Sequence, residues 1–139
     1  MLALCLDTNT YSAYRNADPD AKKLIAAVDQ LWLPATVLGE LRAGFLNGSK
    51  SVANELLLQQ FMDLPYVAVA PTTEATSRHY AQVHHHLRQQ GKPIPTNDMW
   101  IAACALELDC PMYSFDAHFN CVKWLKVVAS TEDWRRLNA

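Results

Sequence analysis

Ala3-Leu-Cys-Leu6 is a short apolar run that stops on a carboxylate, Asp7, followed by three small polar residues, Thr8-Asn9-Thr10. A run of that length bounded by turn-type residues reads as a buried strand. The pattern then recurs along the chain. Asp20–Leu31 sets Leu24, Ile25, Val28 and Leu31 at helical spacing, and Leu31–Leu33 is a second strand candidate closed by Pro34. Thr36 is a candidate N-cap for a helix to about Leu46, stopped by Asn47-Gly48, and Ser51–Met62 reads as another helix. Tyr66–Ala70 is a strand candidate ended by Pro71. Thr72 or Thr73 opens a long helix to Gln90, with Gly91 at its C-terminal cap. Lys92-Pro-Ile-Pro95 must be extended, because each proline removes an N–H and restricts its predecessor. Thr96 caps a helix to about Leu108, Met112–Ser114 and Lys126–Val128 are the remaining strand candidates, and Ser130 with Asp133 starts a terminal helical turn. Strands alternating with helices imply an α/β fold, a three-layer α/β/α sandwich around a mostly parallel sheet. With no internal repeat and no linker, residues 1–139 read as one domain.

Half of the residues are apolar and 19% are charged, which excludes a disordered chain. No apolar stretch reaches membrane-spanning length, and the first residues lack the basic start of a signal peptide. Cys5, Cys104, Cys110 and Cys121 form no C-x-x-C pair and sit in apolar surroundings, as expected of core thiols in a reducing cytoplasm. The net charge of −2 argues, taken alone, against a simple nucleic-acid binder.

Carboxylates stand where strands end and helices begin. In a parallel α/β sheet, ligands bind beyond the carboxyl ends of the strands. Asp7 directly follows the first strand candidate, and Asp116 follows the Met112–Ser114 strand by one residue. Asp98 falls in the first turn after Thr96, where the helix dipole favours a negative charge, and its helix is hydrophobic nearly all round. Glu40 lies about one turn into the helix that begins near Thr36. That helix also holds Gly39 and Gly44, each about 1 kcal/mol less favourable than alanine. Small residues around a carboxylate leave room for an approaching group, or else for close helix–sheet packing. No lysine or arginine adjoins Asp7, Asp98 or Asp116 in sequence. If the three converge, a hard divalent cation with oxygen ligands resolves their repulsion, and Mg²⁺ suits best.

The segments "LDTNTY", "ATVLGELRAGF" and "KPIPTNDMWIAACALELDCPMYSFDAHF" resemble the PIN-domain ribonucleases, and more narrowly the VapC-type toxins of bacterial type II toxin–antitoxin pairs. The resemblance covers nearly the whole chain. The family's acid after the first strand falls on Asp7, and its helical glutamate on Glu40 within "GELRAG". Its third acid falls on Asp98 within "TNDMWIAA" and its fourth on Asp116 within "SFDAHF". Ser114 replaces a more usual threonine, and His118 stands where some members carry another acid, which leaves a second metal position open. The resemblance implies a single PIN-like nuclease domain and a Mg²⁺- or Mn²⁺-dependent endoribonuclease. Asp7, Asp98 and Asp116 are then expected as metal ligands, with Glu40 binding through water or orienting the nucleophile. Thr8, Asn9 and Ser114 are expected to fix carboxylate rotamers by hydrogen bonds. Implied also are products with a 3′-hydroxyl and a 5′-phosphate, a structured RNA substrate (tRNA above all) and an antitoxin partner; a homodimer and a cytoplasmic location are expected from the apolar middle helices and the cysteines. Housekeeping RNA processing, or a catalytically weak domain kept for binding RNA or protein, are the alternatives.

Setting aside the four site acids leaves 12 basic against 10 acidic residues, a surface that tolerates RNA. Arg15, Lys22, Lys23, Arg42, Arg88 and Lys92 are candidate phosphate contacts. A phosphatase of the haloacid dehalogenase type is excluded, since Asn9 stands where that chemistry needs a second aspartate. His84-His85-His86 do not form a metal site, because consecutive helical side chains diverge by about 100°. Trp100 and Trp124 are expected in the core. Phe45, Leu46, Leu56–Leu58 and Phe61 make the two middle helices apolar enough for a dimer or antitoxin interface.

Overall fold

The computed structural model describes residues 1–139. Its centre is a parallel five-stranded sheet of β1 (Ala3–Leu6), β2 (Gln30–Pro34), β3 (Val67–Ala70), β4 (Met112–Tyr113) and β5 (Val127–Val128), in the order β3-β2-β1-β4-β5. β1 is the middle strand, which is why Leu4, Cys5 and Leu6 are wholly buried and the run shows no polar alternation. Leu4 lies opposite Leu31, and Leu6 opposite Tyr113. The chain winds from β1 outward through β2 to β3, then returns to the other side of β1. The strand order therefore reverses between β1 and β4, and the crevice beyond their carboxyl ends is the expected ligand site.

Seven α-helices cover the sheet: α1 (Thr8–Arg15), α2 (Pro19–Ala27), α3 (Ala35–Leu46), α4 (Ser51–Met62), α5 (Glu74–Gln89), α6 (Thr96–Glu107) and α7 (Thr131–Leu137). Right-handed crossovers put α1–α4 on one face and α5–α6 on the other. The packing agrees, with α1 against α2 and α3, and α5 against α6. The expected α/β/α sandwich with a parallel sheet is what forms.

Helix α1 carries no helical signal in the sequence. "TNTYSAYR" is poor in helix formers, and its start looks like a turn. It is helical because Asp7 caps it, accepting from the Thr8 N–H, and because Tyr11 and Tyr14 pack their rings 5.2 Å from that of Phe61 on α4. Other differences are local. The second segment stops being helical at Ala27, as Val28 turns extended towards β2. Thr36 and Thr96 are not N-caps: Pro34 and Pro95 hold those positions without a side-chain hydrogen bond, since the helices start one residue after each proline. Thr73 does cap α5, and its side chain and that of Thr76 bond reciprocally to the backbone. Gly91 follows the end of α5 with φ +64°, a left-handed turn that glycine adopts without strain. A 3-10 turn at Ala117–Cys121 follows β4.

Trp124 is not a core residue; it is 53% exposed, with the half-buried His86 ring 5.0 Å away. Trp100 is half-buried and stacks on Tyr80 at 4.0 Å. His84 and His85 are exposed on α5 and gather no metal-binding group with His86. All four cysteines are free, and burial pushes the Cys110 thiol up to about 12. No helix is long and apolar enough to cross a membrane.

Candidate active site

β1 delivers Asp7 to the reversal point, where it is 5% exposed. Its backbone N–H continues the ladder by donating to the Tyr113 carbonyl at 3.1 Å, so the strand fixes where the carboxylate starts. Oδ1 accepts from the Thr8 N–H at 2.7 Å and Oδ2 from the Ser114 hydroxyl at 2.6 Å. Burial raises the Asp7 pKa above the ordinary carboxylate range, against the pull of those two donors. The charges of Asp98 and Glu40 add to the rise.

Ser114, itself buried, extends β4 and serves two acids at once. While its hydroxyl donates to Asp7, its oxygen accepts from the Asp116 N–H at 3.0 Å. Asp116 then caps the 3-10 turn, with Oδ1 accepting from the His118 N–H at 2.9 Å. Asp98 enters from the first turn of α6. Burial lifts its pKa, and a bond from His118 partly offsets this: Nδ1 lies 3.0 Å from Asp98 Oδ2 and 3.1 Å from Asp116 Oδ1. Donor atoms of Asp98, Asp116 and His118 all lie within 4.8 Å of one another.

Glu40 is half-buried on α3. Thr8 Oγ1 donates to its Oε1 at 2.6 Å and Asn97 Nδ2 to its Oε2 at 3.4 Å. A Cβ added to Gly39 or Gly44 would meet nothing within 4 Å, so these glycines do not serve close packing; that side of α3 is open.

Fold and site thus bring together every acid singled out in the sequence. The group within shared ligand distance is Asp98, Asp116 and His118, while Asp7 stands beside it with both oxygens already bonded. Of the three short polar residues, Ser114 holds Asp7, and Thr8 holds Asp7 through its backbone and Glu40 through its hydroxyl. Asn9 holds no carboxylate; its Oδ1 accepts from the Phe115 N–H at 3.3 Å. Thr10 was not foreseen. It is fully buried, and its hydroxyl lies 3.0 Å from the Asp7 carbonyl and 2.9 Å from that of Tyr113, tying the ends of β1 and β4 together. Nothing in an isolated "TNT" distinguishes it from its neighbours. Two of the proposed phosphate contacts are otherwise engaged: Arg42 pairs with Glu55 at 2.8 Å, and Arg15 lies over the rings of Tyr11, Tyr14 and Phe61.

The only ion pairs made by the four acids are those of Asp98 and Asp116 with His118. Clustered carboxylates with no lysine or arginine partner, two of them pushed up by burial, form a donor set suited to a hard divalent cation.

A parallel α/β sheet that gathers acids at its reversal point defines a carboxylate-centred α/β protein. The PIN domain family model matches residues 4–125, and the chain belongs to that family. Toxin FitB of Neisseria gonorrhoeae is 33% identical over 111 residues, covering 73% of this chain and 79% of that protein. Ribonuclease VapC5 of Mycobacterium tuberculosis is 26% identical over 114 residues, covering 82% and 83%. The same fold occurs in the VapBC-1 structure from nontypeable Haemophilus influenzae, with a TM-score of 0.81 at 22% identity over 91% of this chain and 97% of that one.

Proposed function

We propose that the chain is an endoribonuclease dependent on Mg²⁺ or Mn²⁺ and acts as the toxin of a toxin–antitoxin pair. The observation that carries this reading is the convergence of Asp7, Asp98 and Asp116, with Glu40 alongside, where the strand order reverses and no lysine or arginine pairs with them. Membership of the PIN family and likeness to proteins named as a toxin and a ribonuclease support it.

Asp7, Asp98 and Asp116 are the residues that would hold the cation. When bound, it supplies Lewis-acid charge at the scissile phosphate and acidifies water. Ser114 and the Thr8 N–H keep Asp7 in one rotamer, so its carboxylate needs no reorganisation. Glu40, steadied by Thr8 and Asn97, would bind the cation through water or orient the attacking water and take its proton. The water oxygen bonds to phosphorus as the P–O3′ bond breaks, and the leaving oxygen takes up a proton. The products are a 3′-hydroxyl and a 5′-phosphate.

The substrate is a structured RNA, tRNA in the first instance, and exposed Lys22, Lys23, Arg88 and Lys92 are available to its backbone. An antitoxin and a second copy of the chain are the protein partners. Leu46, Val52 and Leu56 support this, since they leave an apolar face on α3 and α4 that is 77%, 86% and 58% exposed at those positions. The reaction is placed in the cytoplasm.

Brief induction in a bacterial host, followed by sequencing of RNA 5′ ends, tests the reading. New 5′-phosphate ends at defined sites, with growth arrest, are expected from the wild type and absent with Asp7→Asn. Purified protein that cuts no RNA with either cation, together with a toxic Asp7→Asn variant, would refute it.

A further inference from the structure

His118 is the one member of the converging group that is not an acid, and its position is held by the backbone. It sits two residues past Asp116, inside the 3-10 turn that Asp116 caps, and its own N–H is bonded to the Asp116 carboxylate. The ring is thereby turned towards the site. Nδ1 lies 3.0 Å from an oxygen of Asp98, which arrives on α6, and 3.1 Å from an oxygen of Asp116. Two acids sharing one imidazole nitrogen at near-equal distances is more than a surface ion pair requires. Adjacent ligands around an octahedral ion with bonds of about 2.1 Å stand about 3.0 Å apart. Both edges from His118 match that spacing.

We propose that His118 is a metal ligand, its Nδ1 joining one oxygen of Asp98 and one of Asp116, so that the cation centre is a mixed nitrogen–oxygen site rather than a purely carboxylate one. This rests on the reading of the site as a divalent-cation centre and adds the ligand that sets its preference. Magnesium favours oxygen donors and retains its waters, whereas imidazole suits first-row transition ions, so the site favours Mn²⁺ over Mg²⁺. The remaining histidines, His79 and His84–His86, all lie on α5 and outside this group.

Mn²⁺ is titrated into the metal-free protein, bound and free ion are counted by electron paramagnetic resonance, and electron spin echo modulation reads nitrogen at the bound ion. Modulation from one imidazole nitrogen is expected in the wild type and none in His118→Gln. The same variant should lose about tenfold or more in Mn²⁺ affinity, while competition by Mg²⁺ at the remaining oxygens changes far less. His118 is an exposed residue, and a thermal melt of the variant confirms that it folds. If Mn²⁺ binds and Asp98→Asn weakens it, but no nitrogen modulation appears, the carboxylate centre stands and the role given to His118 is overturned. Nitrogen modulation that survives in His118→Gln also overturns it. Absence of any Mn²⁺ binding overturns the cation centre itself.

Discussion

Ser114→Ala removes the atom that links two of the site's acids, and its effect can be worked out from the contacts. The lost hydroxyl donates to Asp7 at 2.6 Å and accepts from the Asp116 N–H at 3.0 Å, and Ser114 is 1% exposed, so water does not readily replace it. A hydrogen bond to a charged acceptor contributes about 1.5–3 kcal/mol, and a neutral one about 1 kcal/mol. The metal-free variant should therefore be about 2–3 kcal/mol less stable at neutral pH, lowering Tm by roughly 5–10 °C for a chain of this size. The loss depends on pH in a definite direction. The folded Asp7 pKa lies above the unfolded value near 3.8. The native state therefore binds the extra proton, and Asp7 costs stability as pH rises from the unfolded to the folded value. Without the Ser114 donor the folded value rises further, and the cost above it grows. At a pH below the unfolded value the carboxyl is protonated in both states, and the difference between variant and wild type should shrink to about 1 kcal/mol. Urea unfolding of metal-free protein at both pH values measures this. Cleavage should fall about 10–100-fold, and Ser114→Thr, which restores the hydroxyl, should recover most of both losses. A destabilisation that does not change with pH, or wild-type cleavage by Ser114→Ala, would show that this hydroxyl does not hold the Asp7 charge.

Asp7→Asn should lower RNA cleavage by on the order of 10²–10³-fold, as expected when a group aimed at developing charge is lost. The same change leaves metal-free stability equal or slightly higher at neutral pH, since asparagine caps α1 as well and carries no buried charge; a clear drop in Tm would contradict this. Thr8→Val keeps the side-chain shape but frees Glu40, so kcat should fall about tenfold with little change in KM, and Thr8→Ser should restore it. An unchanged kcat removes Glu40 positioning from the mechanism. The Tyr113 hydroxyl is buried without a partner, and burial together with the charges of Asp18 and Asp20 pushes its pKa up to about 12. Tyr113→Phe should accordingly gain about 1 kcal/mol, seen as a Tm higher by a few degrees, and a lower Tm would reveal a partner for the hydroxyl.

Legibility in the sequence followed how local each cause was. The strand β1 and the placement of Asp7 were readable because a four-residue apolar run needs no distant information to be a buried strand. Ser51–Met62 matched α4 to the residue, although no side chain caps its start and no charge marks either end turn. Helix α1 was invisible for the opposite reason: its stability comes from Tyr11 and Tyr14 meeting Phe61, some fifty residues later in the chain. Trp124 was misplaced because an aromatic residue carries no mark of which side of a loop it faces. Within the site, residue identity pointed to the acids, but partners were not readable. Thr8, Asn9 and Thr10 look equivalent in "TNT", yet one holds Glu40, one binds the Phe115 backbone and one ties β1 to β4.

The way the acids are satisfied also explains how a fold with so small a core tolerates them. Each is held differently: Asp7 by a hydroxyl and a helix-start N–H, Glu40 by Thr8 and Asn97, and Asp98 and Asp116 by one shared imidazole. None of these partners is a lysine or arginine, whose full charge would compete with a cation for the same oxygens. Neutral donors satisfy Asp7 and Glu40 at modest energy and leave their negative field intact, and burial of Asp7 keeps part of that field unrelieved. Placing a basic residue here should therefore stabilise the metal-free fold and abolish cation binding together. Glu40→Lys is a direct instance: it sets an ammonium beside Asp7 and Asp98, whose pKa values the Glu40 charge now helps to raise. The expected result is a higher metal-free Tm and no Tm response to added Mn²⁺. If that variant bound Mn²⁺ as the wild type does, the field of these acids would not be what draws the ion.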